Sequence, residues 1–429
     1  MRFVKAVPWG LLQACLRVRV SWTDAERGSA RGRLQYGGFG LSPLCPGTAA
    51  VGLETVTKTR VAHFAWTGEI GGAERALYQL VAEQVRCGEY EVAVVYGRGG
   101  GTYADRVRDL GCQVIDLGMR GSLDVASARA HESAISRYGI HHFHVMEPSV
   151  MSASVRCREA VRVFTQRGGR TGAGVGLRKQ LRRAIGGHIL RGHFSGVSGN
   201  TRLALDVARR RYRLEGIPMA VTYNGIDFDL LRPKRSRSAI REELGVGEEA
   251  FLVGSCGRFK SWKRFERLAR ATGPLRDVGA HVVLIGDGAE HDRIVAAAKS
   301  VGGIDRLHVT GIVADACDYT AALDAFVLPS NEEESFGNAA IEAMALGVAS
   351  IVFADSPGVC EHIENGVSGF IVGDEAEMVQ MLLRLAGDAQ LRRCIGDAGS
   401  AHVRTTYTTA HMLEGYESFY RAATELGVR

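Results

Sequence analysis

Paired cysteines, prolines and long apolar runs are what this 429-residue sequence has least of, and each shortage removes a class of protein. Its nine cysteines lie singly from Cys15 to Cys394, with no C-x-x-C pair and no Cys/His ligand spacing. Neither a disulfide framework nor a zinc site is expected from that distribution, and a reducing cytoplasm suits it. No apolar run approaches the ~20 residues that cross a bilayer. Met1, Arg2 and Lys5 ahead of an apolar stretch at 7–16 resemble a signal peptide only weakly, because Gln13, Arg17 and Arg19 interrupt it. Nine prolines against 54 glycines, 46% hydrophobic and 23% charged residues exclude collagen-like, fibrous and disordered chains. Abundant glycine instead suits many short strand-to-helix turns. The formal charge of +6 is mildly basic. It fits a phosphate-bearing ligand or an anionic membrane surface without demanding either, and nucleic acid is not expected as a partner.

What is present is a rhythm. Residues 1–58 are rich in Arg, Gly, Ser and Pro without a period of 2 or 3.6 and read as a poorly ordered extension. From Arg60 onward, short β-branched or aromatic runs recur at 61–66, 91–96, 113–117, 141–145, 161–165, 193–197 and 220–223. Helical stretches lie between most of them, such as 73–85, where Ala76, Leu77, Leu80, Val81 and Val85 share a face. A second series at 251–255, 281–285, 307–310, 325–328, 350–353 and 369–372 follows the basic, Pro-containing stretch Arg232-Pro-Lys-Arg235. Strands alternating with helices predict βαβ units and parallel sheets. The expected organisation is an α/β fold of two Rossmann-like domains, 59–231 and 232–408, with a final helical stretch, 409–429, packing back on the first. Ligands then belong in the crevice at the strand C-termini.

The densest chemical signal is Leu328-Pro-Ser-Asn-Glu-Glu-Glu-Ser-Phe-Gly-Asn-Ala-Ala-Ile-Glu-Ala-Met-Ala-Leu-Gly347. A strand ends near Ser330, a polar turn follows, and 337–346 reads as a helix closed by Gly347. That places Glu334 in the turn and Glu342 within the helix, near one cleft edge. The amides of Phe336, Gly337 and Asn338 would be free helix N-terminal donors, a cradle for a diphosphate. Taken alone, the two glutamates would be a solvated acidic turn and an exposed helix residue.

The block Glu334-Ser-Phe-Gly…Glu342-Ala-Met-Ala…Gly347 resembles the E-x7-E signature of the family 4 glycosyltransferases, which have the two-Rossmann GT-B architecture. The resemblance runs from about Arg60 to the C-terminus. Its other segments, in order, are Gly68-Glu-Ile-Gly-Gly-Ala-Glu-Arg75, Val197-Ser-Gly-Asn200, Tyr223-Asn-Gly-Ile-Asp227, Gly257-Arg-Phe-Lys-Ser-Trp-Lys263, Leu284-Ile-Gly-Asp-Gly288, Val309-Thr-Gly-Ile-Val313, Gly358-Val-Cys-Glu361 and Asn365-Gly-Val-Ser-Gly369. It implies a retaining glycosyltransferase that uses a nucleoside-diphosphate sugar, of the kind that assembles bacterial polysaccharides, glycolipids or glycoconjugates. Acceptors consistent with it are a glycan, a lipid-linked sugar or a small molecule.

The resemblance also assigns roles. Arg258 and Lys263 would neutralise the leaving diphosphate, an electrostatic task suited to two cations at a strand's crevice end. Glu334 would hold the transferred sugar and Glu342 the ribose hydroxyls. Gly257, Phe336, Gly337, Asn338 and Val313 would complete the donor site, without a metal or other cofactor. Gly71 and Gly72 form the phosphate-approach loop, where a tight βα turn is an equal explanation. Asn224 and Glu147 fall on the acceptor side, with His144 as the candidate catalytic imidazole. Here the chain departs from the family pattern: Met146 stands where a His is usual before Glu147-Pro148, and Arg167 replaces the His of Thr165-Gln-Arg-Gly168. These departures leave a catalytically weak partner subunit as one alternative; a nucleotide-sugar 2-epimerase on the same fold is another.

Ten Lys/Arg and one acid, Glu159, lie between Val155 and Phe194. Arg178, Lys179, Arg182 and Arg183 interleave with Leu177, Leu181 and Ile185, a basic amphipathic helix that is either a solvated face or a dock for anionic lipid. The expected setting is the cytoplasm, peripheral to the inner face of the cell membrane.

Overall fold

The computed structural model describes residues 58–121, 124–168 and 176–427. The expected N-terminal extension, Lys58 apart, lies outside the described residues.

Among the described residues, thirteen strands form two sheets. The first joins β1 (Thr59–Ala65), β2 (Tyr90–Tyr96), β3 (Gln113–Asp116), β4 (Ile140–Phe143), β5 (Val161–Gln166), β6 (Gly196–Gly199) and β7 (Met219–Val221) in the order β3-β2-β1-β4-β5-β6-β7. The second joins β8 (Leu252–Cys256), β9 (His281–Ile285), β10 (Leu307–Val309), β11 (Ala325–Leu328), β12 (Ala349–Phe353) and β13 (Phe370–Val372) in the order β10-β9-β8-β11-β12-β13. Every pairing is parallel.

Parallel sheets carry helices on both faces, so their strands read as continuous apolar runs whose side chains alternate between two cores. In β1 and β2, Ala62, Phe64, Ala93 and Val95 enter one core, while Val61, Ala65, Val92 and Val94 enter the other. The second sheet divides in the same way: Val253, Val282, Leu284 and Val327 face one side and Leu252, Val283, Ile285 and Leu328 the opposite one. Each of the larger buried side chains contributes about 1.5–3 kcal/mol, which is why a one-residue slip in any strand is strongly opposed.

The helix Thr409–Glu425 places Met412, Leu413, Tyr416, Phe419, Tyr420 and Ala423 on one buried face. Those residues pack with Val61, Leu77, Val92 and Val163, so the chain ends by returning to the first domain.

One sequence expectation needs correction. The run 193–197 is not a strand throughout: a helix, Leu177–His193, continues through His193, and β6 begins only at Gly196. Gly186, Leu190 and Phe194 are buried at intervals of four, a helical spacing that outcompetes a stretch with Val197 as its one β-branched residue.

In each sheet the strand order reverses once, between β1 and β4 and between β8 and β11. A doubly wound sheet opens its ligand crevice at that point. The loops that leave those four strands carry Gly71, His144, Gly257 and Glu334.

Candidate active site

The second domain supplies most of the charge. β11 runs into the turn 329–336, and the helix Asn338–Ala345 follows with Gly337 as its N-cap. Gly337 has φ 70°, and a Cβ there would stand 2.9 Å from Val359 and 3.0 Å from Leu328. Backbone conformation and packing therefore both select glycine. With no side-chain cap, the amides of Phe336, Gly337 and Asn338 have no hydrogen-bond acceptor among the described residues. They are open donors at the positive end of the helix. The Phe336 ring itself is core, 4.5 Å from the His362 ring, so only its backbone faces a ligand.

Beside this helix end, the β8 loop begins at Gly257, with φ 147°. A Cβ at neighbouring Gly286 would come within 2.2 Å of the Gly257 carbonyl, so the tips of β8 and β9 touch backbone to backbone. That close packing places Arg258 and Lys263. Lys263 Nζ lies 2.6 Å from Glu334 Oε2, with Ser330 Oγ donating to the same oxygen at 3.3 Å. Arg258 is exposed and has no ion pair among the described residues. Burial, then the Glu342 charge, pushes the Cys256 thiol up to about 12, which removes it as a nucleophile at neutral pH. Val313 is half-buried against the second domain's core.

The first domain meets this site closely. Gly71 caps the helix Gly72–Cys87, and a methyl group on it would lie 3.8 Å from the Arg258 guanidinium. Arg75 on that helix reaches across to Glu342, Nη1 to Oε1 at 2.7 Å. Asn338 receives a hydrogen bond from Asn224 Nδ2 at 3.1 Å and gives one to the Gly72 carbonyl at 3.5 Å. At the cleft floor, Ser335 donates to Asn200 Oδ1 at 2.7 Å and touches the Thr201 hydroxyl at 3.0 Å. Glu361 accepts the free amides of Arg202 and Leu203, each at 2.9 Å, and so caps a first-domain helix, Arg202–Tyr212, from the second domain.

Arg75, Ser335 and Glu361 are the residues that sequence reasoning missed. Arg75 left a signal: a cation in the first turn of a helix opposes the helix dipole, so something else must favour it there.

The residues expected on the acceptor side occupy a buried network. Arg167 replaces a histidine, and it anchors three groups: Nε donates to His144 Nδ1 at 3.2 Å, Nη1 to Asn224 Oδ1 at 2.7 Å and Nη2 to the Tyr416 hydroxyl at 3.2 Å. His144 Nε2 then faces His63 Nδ1 at 3.0 Å, and His63 Nε2 faces Gln84 Oε1 at 2.8 Å. One proton order satisfies this chain: the guanidinium donates to His144, His144 to His63, and His63 to the Gln84 carbonyl, with both rings neutral. Burial above all, then the neighbouring His142 and Arg167 charges, holds His144 well below its ordinary range. With both nitrogens engaged, His144 exchanges a proton with an acceptor only if Arg167 moves. Glu147 pairs with Arg182 at 2.9 Å, tying the loop after β4 to the Leu177–His193 helix.

His63, His142 and His144 bring ligand atoms within 4.8 Å of one another, the geometry of a metal trap. Each nitrogen already has a partner, however. Those of His142 face the Tyr420 hydroxyl at 2.7 Å and Thr165 Oγ1 at 2.6 Å. The donor set reads as a satisfied polar core.

The chain does hold one Asp-x-Asp pair, Asp227 and Asp229, which the expectation of a metal-free site leaves out of account. Asp227 Oδ1 accepts the amides of Asp229 and Leu230 at 3.0 and 3.4 Å, and Asp229 pairs with Arg232. These carboxylates close a turn ahead of the linker.

Two facing doubly wound domains, with a cationic cluster opposite a glycine loop, define the GT-B class of fold. Comparison with known proteins agrees: Anabaena HepE in complex with UDP superposes with a TM-score of 0.73 at 20% identity, covering 85% of this chain and 100% of that one. WaaG, a glycosyltransferase involved in lipopolysaccharide biosynthesis, gives 0.65 at 15% identity, covering 84% of this chain and 99% of that one. The family model for Glycosyltransferase Family 4 matches residues 70–230, and that for Glycosyl transferases group 1 matches 250–388. The chain belongs to glycosyltransferase family 4. Curated relatives include N-acetyl-alpha-D-glucosaminyl L-malate synthase of Bacillus anthracis, 29% identical over 201 residues, which are 46% of this chain and 52% of that protein. The lipopolysaccharide core biosynthesis glycosyltransferase LpsD of Rhizobium meliloti is 28% identical over 186 residues, 43% of this chain and 53% of that protein. The chain thus spans about half the length of the curated relatives it matches.

Proposed function

We propose that this protein is a retaining glycosyltransferase that moves a sugar from a nucleoside diphosphate to an acceptor hydroxyl in cell-surface polysaccharide or glycoconjugate assembly. The observation that carries this reading is the convergence of Arg258, Lys263, Glu334 and Glu342 with three open helix amides where the second sheet's strand order reverses. UDP in HepE supports a uridine nucleotide as the first donor to test. Lys263 and Arg258 neutralise the diphosphate, the amides of 336–338 bind its oxygens, Glu342 takes the ribose and Glu334 the sugar. As the bond from the sugar's anomeric carbon to the diphosphate breaks, the acceptor oxygen bonds to that carbon on the same face. The acceptor proton passes to the departing diphosphate oxygen. No side-chain base is needed in this scheme, which suits a site with Met146 in place of a histidine and with His144 already engaged. No metal is required either, so a chelator leaves turnover unchanged.

Thermal-shift screening of UDP, GDP, ADP and TDP identifies the base, since a ligand at 100 times its Kd stabilises by about 2.7 kcal/mol. Lys263→Ala and Glu342→Gln are each expected to lower kcat/KM by more than ~100-fold, the scale of one principal electrostatic contact. Near wild-type turnover in either variant overturns the site assignment.

The setting we propose is the cytoplasmic membrane surface. Leu177 and Leu181 are 80% and 60% exposed on the Leu177–His193 helix, beside Arg182 and Arg183. Arg170 and the side chains of Arg178 and Lys179 lie outside the described residues. Among the described residues no helix is long and apolar enough to cross a membrane. An apolar stripe flanked by cations inserts shallowly, each cation adding about 1 kcal/mol on anionic lipid. Co-sedimentation tests this: equal binding to neutral and anionic vesicles removes the reading.

A further inference from the structure

Behind the cleft, the Leu177–His193 and Arg202–Tyr212 helices enclose a cavity of about 340 Å³. Four guanidinium groups line it, those of Arg183, Arg191, Arg211 and Arg213, together with Gln180 and Tyr212, and no carboxylate does. No ion pair reaches Arg191, Arg211 or Arg213 among the described residues. Arg211 Nη2 is buried there without a hydrogen-bond partner. Arg191 Nη1 donates to the Tyr212 carbonyl at 2.9 Å, which fixes the two helices around the cavity.

Two features make this a built site. First, four guanidinium groups converge on one cavity with no carboxylate in its lining, and Arg211 Nη2 is buried there without an acceptor, so an anion is the complement that satisfies it. Second, Arg213 ends its helix in the left-handed region, at φ 51°. Glycine would hold that position at less cost, yet the chain places a fourth arginine there, turned toward the other three. Gly187 supplies the room: a Cβ on it would lie 3.1 Å from the Tyr212 ring and 3.6 Å from Arg191 Nη1.

We propose that this cavity is a second anion site, which takes a phosphate or diphosphate ester. Guanidinium groups grip phosphoryl oxygens in bidentate fashion, and the volume lies at the small end of the ligand-site range, about 300–1,000 Å³. It is separate from the donor site. The Arg202–Tyr212 helix has its N-terminus at the interdomain contact with Glu361 and spans 11 residues, so Arg213 sits about 16 Å further along. The exposed residues Leu177, Leu181 and Ile185 lie next to the cavity-lining stripe around the same helix. The phosphate could therefore belong to a lipid headgroup or to a soluble ester. The proposal stands or falls apart from the donor assignment.

The test uses the full chain carrying Arg258→Ala and Lys263→Ala, which removes the two cations assigned to the donor diphosphate, and titrates it calorimetrically with pyrophosphate. The expected result is one binding event that Arg183→Ala/Arg213→Ala weakens at least tenfold. Arg211→Gln provides a second variant should the first fold poorly, with circular dichroism reporting the fold. In parallel, the same proteins are sedimented with phosphatidylglycerol or phosphatidylcholine vesicles. Loss of phosphatidylglycerol binding in the cavity variants, with or without loss of the isotherm, assigns a lipid headgroup. Loss of the isotherm alone assigns a soluble phosphate ester. Vesicle binding and any isotherm that are indifferent to the cavity variants overturn the proposal.

Discussion

The imidazoles beneath the acceptor side give a residue-scale signature. Burial, only partly offset by the Gln84 hydrogen bond and reinforced by the Arg167 charge, lowers His63 to about 4 from an ordinary 6.5. Burial likewise takes His141 to about 4, and holds His142 well below its ordinary range. In the unfolded chain these rings take protons near pH 6.5, while in the folded chain His63 and His141 stay neutral until about pH 4. Their contribution is therefore present above pH 6.5 and lost as pH falls from 6.5 to 4, at roughly 3 kcal/mol for a shift of that size. Melting temperature should drop steeply across that window. His63→Gln, which keeps a hydrogen-bonding side chain without a titrating proton, should make the drop shallower. An unchanged profile in that variant would falsify the neutral-ring assignment. His144 as a candidate base could be named from sequence, because histidines after a strand are visible in the letters. That Arg167 occupies its Nδ1 could not, since the two residues meet only once β4 and β5 are paired.

At the scale of the element, the Asn338–Ala345 helix shows what a single sequence can and cannot disclose. Its start at a glycine, its Glu342 and its closing Gly347 are written in local spacing, and local backbone preference enforces the two glycines. Gly337→Ala is expected to cost about 2–4 kcal/mol: the left-handed φ costs an L-residue about 1–2, and crowding against Val359 and Leu328 at least as much again. Urea denaturation measures the loss. Nucleotide affinity should fall with it, because the open amides shift with the cap; a variant as stable as the wild type would show that the turn adapts. The misplaced boundary at 193–197 has the opposite origin. There the apolar letters suit a strand or a helix equally, and burial against Phe143 and Phe164 decides between them.

Across the whole molecule, the fold was legible because the inner parallel strands, such as β1, β2, β8, β9, β11 and β12, are buried on both faces and repeat the same apolar run. The joining of the two domains was not, because no periodicity encodes a partner on another domain. Glu361 caps a helix of the first domain, and Asn224 meets Asn338. The Arg75–Glu342 pair has the clearest functional consequence among these contacts, since the carboxylate proposed to receive the ribose is already held from across the cleft. A donor must release Glu342 from Arg75 before the ribose can take its place. With both side chains 19–31% exposed, the pair is worth about 1 kcal/mol. Removing it should therefore make donor entry easier by about fivefold. Arg75→Ala is expected to tighten nucleoside-diphosphate binding by that factor in calorimetry, and Glu342→Gln to abolish the gain when the two are combined. Weaker binding in Arg75→Ala would give the arginine the opposite role, as a ligand of the donor itself, and the resting pair would then be only the place where it waits.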